Sequence, residues 1–507
     1  MILWLCLCVP VTFFISAAQG AVKQPVLMTV EHRPLKRLPE QCGLKDAADC
    51  KRDGISNLYV NPTIWMNAKS FVESIVVASK NTVDLVVFPE YGLTGLGVLP
   101  PNKPQAQSEK WLIREDDEVI RLISDAARQN HNYVVVNLPE EVPCEDQTES
   151  ADCPEEGFFA YNSDYVFDRS GSIIAKYRKT NLYLEPLFDL PPADQGLVTF
   201  ETDFGIRFGL ATCFDIMFQT PFVDLVHKAG VRHIIFPTAW IDNLPFYTSL
   251  AVMESRARGL GINLIGANLH FPPSGAIGSG IMGPQGAVAY TYRNSGQYAI
   301  GTLNEMGDAT KGRVFGSAPP VPDDTQFTIG MNFSGMASEV LDLLSTGSSQ
   351  VCQGPVCCSL KWALDQTILD DYGVFRLIAH DGRSNIGSGK FCWRYQICSL
   401  VRCASRNIDS CDEFTSTRSQ SRNSPAFLPR TSLSGSFTTA DIYPMAISGT
   451  GHLYSGAAVG GPERAKLDFR HETADRKATY SIATGSQIAV TSFGSMTLYG
   501  MVYDQDC

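Results

Sequence analysis

The 507-residue chain has few positive charges for its size: 41 lysine and arginine residues face 53 aspartate and glutamate residues, giving a formal net charge of −12. Nucleic acid binding requires a basic face, so this balance argues against a nucleic-acid partner. Internal repeats and low-complexity tracts are also lacking, which argues against a repeat architecture and extended disorder. The composition, 44% hydrophobic and 19% charged, is typical of a globular protein, and the length predicts two or three domains.

Histidine is scarce, with 8 residues, and none falls in a spacing typical of a zinc site. We therefore expect neither a metal nor another cofactor. His227, His233 and His270 leave a cysteine–histidine protease open as a class, but none of them lies in a recognisable catalytic signature.

A long apolar run opens the chain. Residues 1–20 carry no charged side chain and end in small residues at Ala18 and Gly20, which predicts a cleaved signal peptide and a secreted, extracellular protein. The run is only just long enough to span a membrane, so a retained signal anchor is the alternative. The chain ends at Cys507 without a hydrophobic tail, so we expect no lipid anchor there. The sequon at Asn332 is a candidate glycosylation site.

The 15 cysteines fit an oxidising compartment. Cys6 and Cys8 belong to the predicted signal peptide, and an even number remains only if Cys213 stays a free thiol. Two short-loop disulfides are natural in the N-terminal half: Cys42–Cys50 and Cys144–Cys153. The other cysteines lie in the C-terminal third, and their 105 possible pairings stay open: Cys352, Cys357, Cys358, Cys392, Cys398, Cys403, Cys411 and Cys507.

The pattern of the chain changes near residue 310. Before it, apolar strand-like runs such as Tyr133–Leu138 alternate with helical spacing, which predicts an α/β domain over residues 21–310. Residues 311–350 contain clustered prolines and are interpreted as a linker region. Residues 351–507 combine the clustered cysteines with short strands punctuated by serine, threonine and glycine, which predicts a smaller β-rich domain stapled by disulfides.

Cys213 follows the short apolar run Phe208–Ala211, where a strand must give way to the next element. A side chain at such a turn can be held exposed at the sheet edge, with the following backbone N–H groups directed at an oxyanion. An inert buried cysteine is the alternative.

Two further polar residues follow apolar strands. Glu90 comes directly after Val83–Phe88 and a proline; it is either a solvated loop residue or a partly desolvated carboxylate suited to general base catalysis. Lys179 ends a basic cluster in which strand alternation places Tyr177 and Lys179 on one side and Arg178 on the other.

Three short stretches, in their order along the chain, resemble the Glu–Lys–Cys triad of the nitrilase (carbon–nitrogen hydrolase) superfamily: Phe88–Glu90, Tyr177–Lys179 and Thr212–Asp215. Further stretches resemble its secreted vanin and biotinidase subgroup: Pro237–Trp240, Gly278–Ile281, Val351–Cys358 and Cys398–Cys403. The resemblance implies an αββα sandwich for the first domain, followed by the β-rich base domain.

The resemblance also implies the chemistry of a small-molecule amide hydrolase. Cys213 would be the nucleophile and Glu90 the general base, with Lys179 and the backbone N–H of Phe214 holding the oxyanion. The substrate would be pantetheine or biocytin, and the stretch from Tyr177 onward looks somewhat more like biotinidase. A catalytically silent secreted binding or scaffold protein on this fold is the alternative. Oligomeric state is not predicted.

Three residues have weaker predicted roles. Many nitrilase relatives use a second glutamate, for which Glu140 is a candidate auxiliary residue; the alternative is a surface charge next to Cys144. Tyr183 and Trp240 are candidate pocket residues, with core packing as their alternative role.

Overall fold

The computed structural model describes residues 24–34, 60–144, 153–293, 296–304, 307–316, 331–343, 345–363, 374–386, 391–411, 428–449, 451–455, 465–482, 486, 488 and 493–503. The predicted signal peptide, the Cys42–Cys50 pair and Cys507 lie outside these residues. Within them, no helix combines the length and the apolar character needed to cross a bilayer.

The N-terminal part of the chain forms two mixed sheets, which contain β1 (Val26–Val30), β2 (Leu85–Val87), β3 (Tyr133–Pro143), β4 (Phe158–Phe167), β5 (Ile173–Arg178), β6 (Thr199–Glu201), β7 (Arg207–Leu210), β8 (His233–Pro237), β9 (Asn263–Ala267), β10 (Ser279–Gly283), β11 (Gly286–Thr291), β12 (Tyr298–Leu303) and β13 (Ala309–Phe315). The first sheet has the order β13-β12-β1-β2-β3-β4-β5, and the second has the order β11-β10-β9-β8-β7-β6. The α-helices of this part are α1 (Pro62–Lys80), α2 (Lys103–Ser108), α3 (Glu118–Asn130), α4 (Asp224–His227) and α5 (Ser249–Leu260).

Strand β2 shows how the layers form. Leu85 and Val87 pack in the core between the two sheets, whereas Val86 packs on the other side with residues of α1 and α3. The split follows from the strand period, because successive side chains point to opposite faces. Helix α5 packs on the far side of the second sheet, next to Ile234 and Leu264. The resulting order of helices, sheet, sheet and helix confirms the predicted αββα sandwich.

Helix α1 starts where its sequence dictates. Asn61 caps it by accepting a hydrogen bond from the Thr63 backbone N–H at 3.0 Å, and Pro62 follows, where no N–H is needed. Helix α5 is capped by Thr248 and ends before Gly261, whose φ of +66° suits a residue without a Cβ.

The C-terminal part is built from strands alone in two five-stranded sheets, apart from short helical turns in its described residues. The strands are β14 (Ala337–Leu341), β15 (Gly347–Gln353), β16 (Val356–Ala363), β17 (Val374–Ile386), β18 (Phe391–Cys403), β19 (Arg430–Ser436), β20 (Asp441–Ser448), β21 (Leu467–Glu472), β22 (Lys477–Ile482) and β23 (Phe493–Val502). One sheet has the order β14-β17-β18-β23-β20 and the other β15-β16-β19-β22-β21. A shared apolar core lies between them. This confirms the predicted β-rich architecture.

Disulfides reinforce this region. Cys358–Cys398 joins β16 of one sheet to β18 of the other, and two further bridges close short loops: Cys352–Cys357 and Cys403–Cys411. The predicted Cys144–Cys153 bridge of the first region is confirmed. We retain residues 21–310, 311–350 and 351–507 as proposed domain limits, although β13 continues past residue 310 to Phe315.

Helix α5 also carries the contact between the two regions. Gly259 faces Tyr443 of β20 so closely that a Cβ would lie 2.5 Å from the tyrosine ring. The buried guanidinium of Arg256 lies 3.7 Å from the centroid of that ring, and its Nε donates to the carbonyl oxygen of Ile216 at 3.4 Å. The β-rich region is therefore packed against the segment that contains Cys213.

Candidate active site

Cys213 stands where β7 gives way to a 3₁₀ turn, Cys213–Met217. Its φ of +46° lies in the left-handed region that residues other than glycine rarely adopt. Such strain persists only where neighbouring contacts enforce it, and here Thr212 and Asp215 form a capping box across the turn. The thiol is half-buried and, in the described part of the chain, is the one cysteine outside a disulfide, as the cysteine count predicts.

Asp215 ties this turn to the end of β5. Its carboxylate accepts hydrogen bonds from the Thr212 backbone N–H at 2.9 Å, the Tyr177 hydroxyl at 2.7 Å and the Asn181 amide at 2.8 Å. Tyr177 and Lys179 are two positions apart, so they lie on one face of the chain. The same contacts that hold the cysteine therefore also hold the strand that delivers Lys179.

Glu90 follows β2 and is 1% exposed. Its Oε1 accepts from Lys179 Nζ at 2.7 Å and Asn162 Nδ2 at 2.8 Å, and its Oε2 accepts from the Ala239 backbone N–H at 2.9 Å. Burial raises the pKa of Glu90 above its ordinary value, and the ammonium group of Lys179 offsets part of that rise. A carboxylate with a raised pKa can both take and return a proton near neutral pH.

Lys179 is 2% exposed and lies between two carboxylates. Its Nζ is 2.7 Å from Glu90 Oε1 and 3.1 Å from Glu185 Oε2. Burial alone would lower the pKa of Lys179, but the charges of Glu185 and Glu90 outweigh it and hold that pKa well above its ordinary value. Lys179 is therefore an ammonium group at neutral pH, held between two carboxylates.

The Cys213 thiol shares its pocket with these three charges. Burial and the negative charge of Glu90 raise the pKa of Cys213, whereas the positive charge of Lys179 lowers it in part. The resting group is consequently a thiol, and a thiolate forms only when a neighbouring base accepts its proton. Glu90 is the carboxylate whose charge acts most strongly on this thiol.

Glu185 is a site residue that the sequence reasoning missed. Besides Lys179, its carboxylate accepts from Asn162 Nδ2 at 3.0 Å and from the Tyr91 hydroxyl. The available signal was position alone: a carboxylate six residues after the catalytic lysine candidate, in the loop that follows its strand.

Comparison with known proteins identifies the family to which this chain belongs. The family model described as carbon–nitrogen hydrolase matches residues 54–268, and the vanin C-terminal domain matches residues 331–506. Biotinidase of Takifugu rubripes is 30% identical over 455 residues, which cover 81% of this chain and 84% of that protein. Pantetheinase of Sus scrofa is 31% identical over 396 residues, which cover 76% of this chain and 71% of that protein. The chain belongs to the vanin and biotinidase family of carbon–nitrogen hydrolases.

Membership of the vanin and biotinidase family makes the chain a hydrolase of carbon–nitrogen bonds in non-peptide amides. Among solved structures, an amidase from Nesterenkonia sp. is similar with 20% sequence identity and a TM-score of 0.40, over 56% of this chain and 94% of its own.

Glu140 of this vanin-family chain does not belong to the pocket. It is 2% exposed, which contradicts a surface charge, and its carboxylate binds Arg178 Nε at 2.8 Å, Ser163 Oγ at 2.7 Å and the Tyr165 hydroxyl at 2.9 Å. Glu140 pairs with Arg178, on the opposite strand face from Lys179, so the auxiliary catalytic role stays a prediction that this pairing does not support. The second carboxylate at the lysine is Glu185.

The Glu140–Arg178 pair predicts a stability effect without a direct effect on chemistry. Arg178→Met leaves a buried carboxylate without its cation, so we expect the free energy of unfolding to fall by about 2–4 kcal/mol. Burial opposes ionisation, but Arg178, Ser163 and Tyr165 hold the pKa of Glu140 below its ordinary value. The pair therefore stabilises at neutral pH, and its contribution is lost as the pH falls through the folded-state pKa.

Thermal melts of wild type and Arg178→Met at neutral and acid pH check this expectation. The difference in melting temperature should be largest at neutral pH and should narrow toward acid pH. Equal melting temperatures at neutral pH would contradict the assigned role.

A cavity of about 720 Å³ opens at the Glu90, Lys179 and Cys213 side chains. Tyr183 and Trp240 both line it, as does Phe214. Tyr183 is 40% exposed and meets the Phe214 ring edge-on at 4.9 Å, so it lies at the outer part of the pocket rather than in the core. Trp240 is half-buried and donates its indole N–H to the Tyr247 carbonyl oxygen at 2.7 Å.

Part of the pocket wall of this vanin-family chain comes from the β-rich region. Ser384, Trp393 and Tyr395 line the cavity, and Trp393 packs edge-on against Phe214 at 5.9 Å between ring centroids. The glycosylation candidate Asn332 also lies at the cavity and is exposed. Among the described residues, no group of three or more histidine, cysteine or acidic side chains is arranged to hold a metal ion.

Proposed function

We propose that this chain is a secreted amidohydrolase that cleaves a linear secondary amide through a thioester to Cys213. The observation that carries the proposal is the arrangement at Lys179, whose ammonium joins the buried carboxylates of Glu90 and Glu185 beside a thiol outside any described disulfide. Two carboxylates and a lysine buried this deeply are costly to a fold. A silent binding or scaffold protein has no use for them, so the arrangement favours catalysis.

Catalysis would start with transfer of the Cys213 proton to Glu90. The thiolate then attacks the amide carbonyl carbon and forms a carbon–sulfur bond, and the carbonyl electron pair moves onto the oxygen. Lys179 and the backbone N–H of Phe214 would stabilise this oxyanion. Because Lys179 keeps its charge throughout, it can support the oxyanion without exchanging a proton.

The intermediate collapses as Glu90 returns its proton to the departing nitrogen. The carbon–nitrogen bond breaks, the amine leaves, and the acyl group remains on Cys213 as a thioester. Glu90 then takes a proton from a water molecule as the water oxygen attacks the thioester carbonyl carbon. The carbon–sulfur bond breaks, Glu90 gives its proton to the departing Cys213 sulfur, and the carboxylic acid leaves. Glu90 serves as base and acid in turn, and its raised pKa suits both roles.

The histidines do not support the protease alternative. His270 is buried against Glu31 at 2.7 Å, and His233 is buried with its pKa lowered to about 4 by burial. No histidine is among the described residues that line the cavity.

We propose pantetheine or biocytin as the substrate. Both are secondary amides on a flexible chain, and relatives carry the names pantetheinase and biotinidase. Apart from Glu90, Lys179 and Glu185, the described residues that line the cavity are uncharged and largely apolar. Such walls suit the aliphatic parts of either substrate, such as the valeryl chain of biocytin.

The test is a side-by-side assay of the secreted, purified protein. Pantetheine hydrolysis is followed by pantothenate and by the new primary amine of cysteamine, because the thiol is already free in the substrate. Biocytin hydrolysis is followed by free biotin and lysine. We expect turnover of at least one amide that is lost in Cys213→Ala. Turnover of neither would remove this substrate assignment. The same preparation, analysed by mass spectrometry before and after glycosidase treatment, tests secretion and a glycan at Asn332.

A further inference from the structure

Two buried asparagines on neighbouring strands lie directly behind the charged groups of the site. Asn162 of β4 donates through Nδ2 to Glu90 Oε1 at 2.8 Å and to Glu185 Oε1 at 3.0 Å. Asn137 of β3 donates through its own Nδ2 to Asn162 Oδ1 at 2.6 Å. Each asparagine is 2% exposed, so protein groups rather than bulk water determine the hydrogen bonding of both amides.

The direction of these bonds is fixed by a backbone group. The N–H of Tyr91 can only donate, and it donates to Asn137 Oδ1 at 3.1 Å. Asn137 must therefore turn its NH₂ group toward Asn162 Oδ1. Asn162 in turn has only its NH₂ group left to face Glu90 and Glu185, so both amide orientations follow from the residue next to Glu90.

The same network reaches the nucleophile. Asn137 Nδ2 also donates to Asp164 Oδ1 at 2.9 Å, and Asp164 Oδ2 accepts from the Thr212 hydroxyl at 2.6 Å. Thr212 is the capping residue of the turn that begins at Cys213. Asn137 is thus hydrogen-bonded, directly or through one group, to the segments that carry Glu90 and Cys213.

We propose that Asn162 is a positioning residue that holds Glu90 and Glu185 side by side as carboxylates around Lys179, with Asn137 fixing the direction in which Asn162 donates. The inference rests on the proposed function for its meaning in catalysis. Two carboxylates that share one ammonium repel each other, and a neutral donor between them favours the doubly ionised pair without adding charge. A second lysine in that position would instead neutralise the base.

The charged and titratable groups around Glu90 determine whether loss of the Asn162 hydrogen bond raises or lowers the pKa of Glu90. Lys179 favours the ionised form of Glu90, whereas Glu185 disfavours it. Asp164 and Cys213 disfavour it only when they are ionised, and burial raises the pKa of Asp164 to about 8 and the pKa of Cys213 well above its ordinary value. The Tyr91 hydroxyl, bonded to Glu185, stays neutral because its pKa is raised well above the ordinary value by burial and both glutamates. Removing the Asn162 donor leaves the opposing charges in place, so the pKa of Glu90 rises, and the base is available only at higher pH.

The experiment compares wild type with Asn162→Leu, which removes the donor at similar volume, and Asn162→Asp, which replaces the donor by an acceptor. Two pH profiles are measured: kcat/KM for the amide, and the rate of Cys213 alkylation by iodoacetamide. We expect the acid limb of both profiles to move up by about one pH unit in Asn162→Leu and further in Asn162→Asp. Asn162→Ser leaves more space and a hydroxyl too short to bridge both carboxylates; it should shift the limb in the same direction if Asn162→Leu does not fold.

Asn132→Leu is the matched control, because Asn132, directly before β3, is equally buried but donates to the Val83 carbonyl oxygen at 2.6 Å, away from the pocket. It should lower the melting temperature and leave the acid limb unchanged. A folded Asn162 variant with the wild-type acid limb would overturn the inference. Alkylation of Cys213 requires no amide substrate, so it tests the role of Asn162 separately from the proposed function. A shifted acid limb of the alkylation profile without any amide turnover would contradict the proposed function and still support the role of Asn162.

Discussion

Cys213→Ala is expected to lower kcat for amide hydrolysis by on the order of 10⁴-fold or more, because no other side chain can form the acyl intermediate. The fold should be retained. The thiol is half-buried and unpaired by any described disulfide, and alanine faces the same backbone strain at φ +46° as cysteine does. We therefore expect the melting temperature to stay within about 3 °C of wild type.

Steady-state assays and a thermal melt on the same preparation separate these two effects. Iodoacetamide labelling with peptide mapping should find a modified Cys213 in wild type and no new site in the variant. Cys213→Ser provides a control for shape, since its hydroxyl fills nearly the same space and is far less ionised at neutral pH. Activity of Cys213→Ala within tenfold of wild type would show that another group is the nucleophile.

The position of the reactive residues could be predicted because each follows a strand. Cys213 and Glu90 come directly after short apolar runs, which form β7 and β2 of the two facing sheets, so each residue lies at the carboxyl end of its own strand. The cysteine count separately indicated that Cys213 stays unpaired. The local sequence pattern and the number of cysteines therefore both indicated Cys213, for different physical reasons.

Glu140 and Glu185 show which contacts the local sequence pattern cannot predict. Strand alternation correctly separated Arg178 from Lys179, but the register of β3 against β4 decides which of them a carboxylate on β3 can meet. That register aligns Glu140 with Tyr161, and the register of β4 against β5 aligns Ser163 with Arg178, so Glu140 reaches the arginine side. Register is set by packing of whole strands and turns, which one sequence does not reveal.

The contribution of the β-rich region to the pocket could also not be predicted from the sequence. Trp393 reaches Phe214 across 179 positions of the chain, within one apolar cluster to which both regions contribute. No spacing or period relates residues at that distance. The disulfide Cys358–Cys398 could likewise not be chosen among the open pairings, since it depends on how two sheets face each other.

Glu90→Gln is expected to lower kcat by about 10³-fold, since glutamine can neither accept the thiol proton nor return one to the departing amine. Glutamine keeps the size of the side chain and can still accept from Asn162 or the Ala239 N–H, so the fold should survive. Glu140→Gln is the matched control: it neutralises an equally buried glutamate outside the pocket, and it should reduce stability while leaving kcat per folded molecule close to wild type.

The thiol of Glu90→Gln should nevertheless stay reactive, which separates loss of the base from collapse of the site. The negative charge of Glu90 raises the pKa of Cys213, so its removal lowers that pKa and leaves Lys179 free to stabilise the thiolate. We expect iodoacetamide to modify Cys213 of the variant at mildly alkaline pH at least as fast as in wild type, while amide hydrolysis stays low. Loss of both activities in a folded variant would mean that Glu90 mainly holds Lys179 in place, and hydrolysis near the wild-type rate would assign the proton transfer to Glu185.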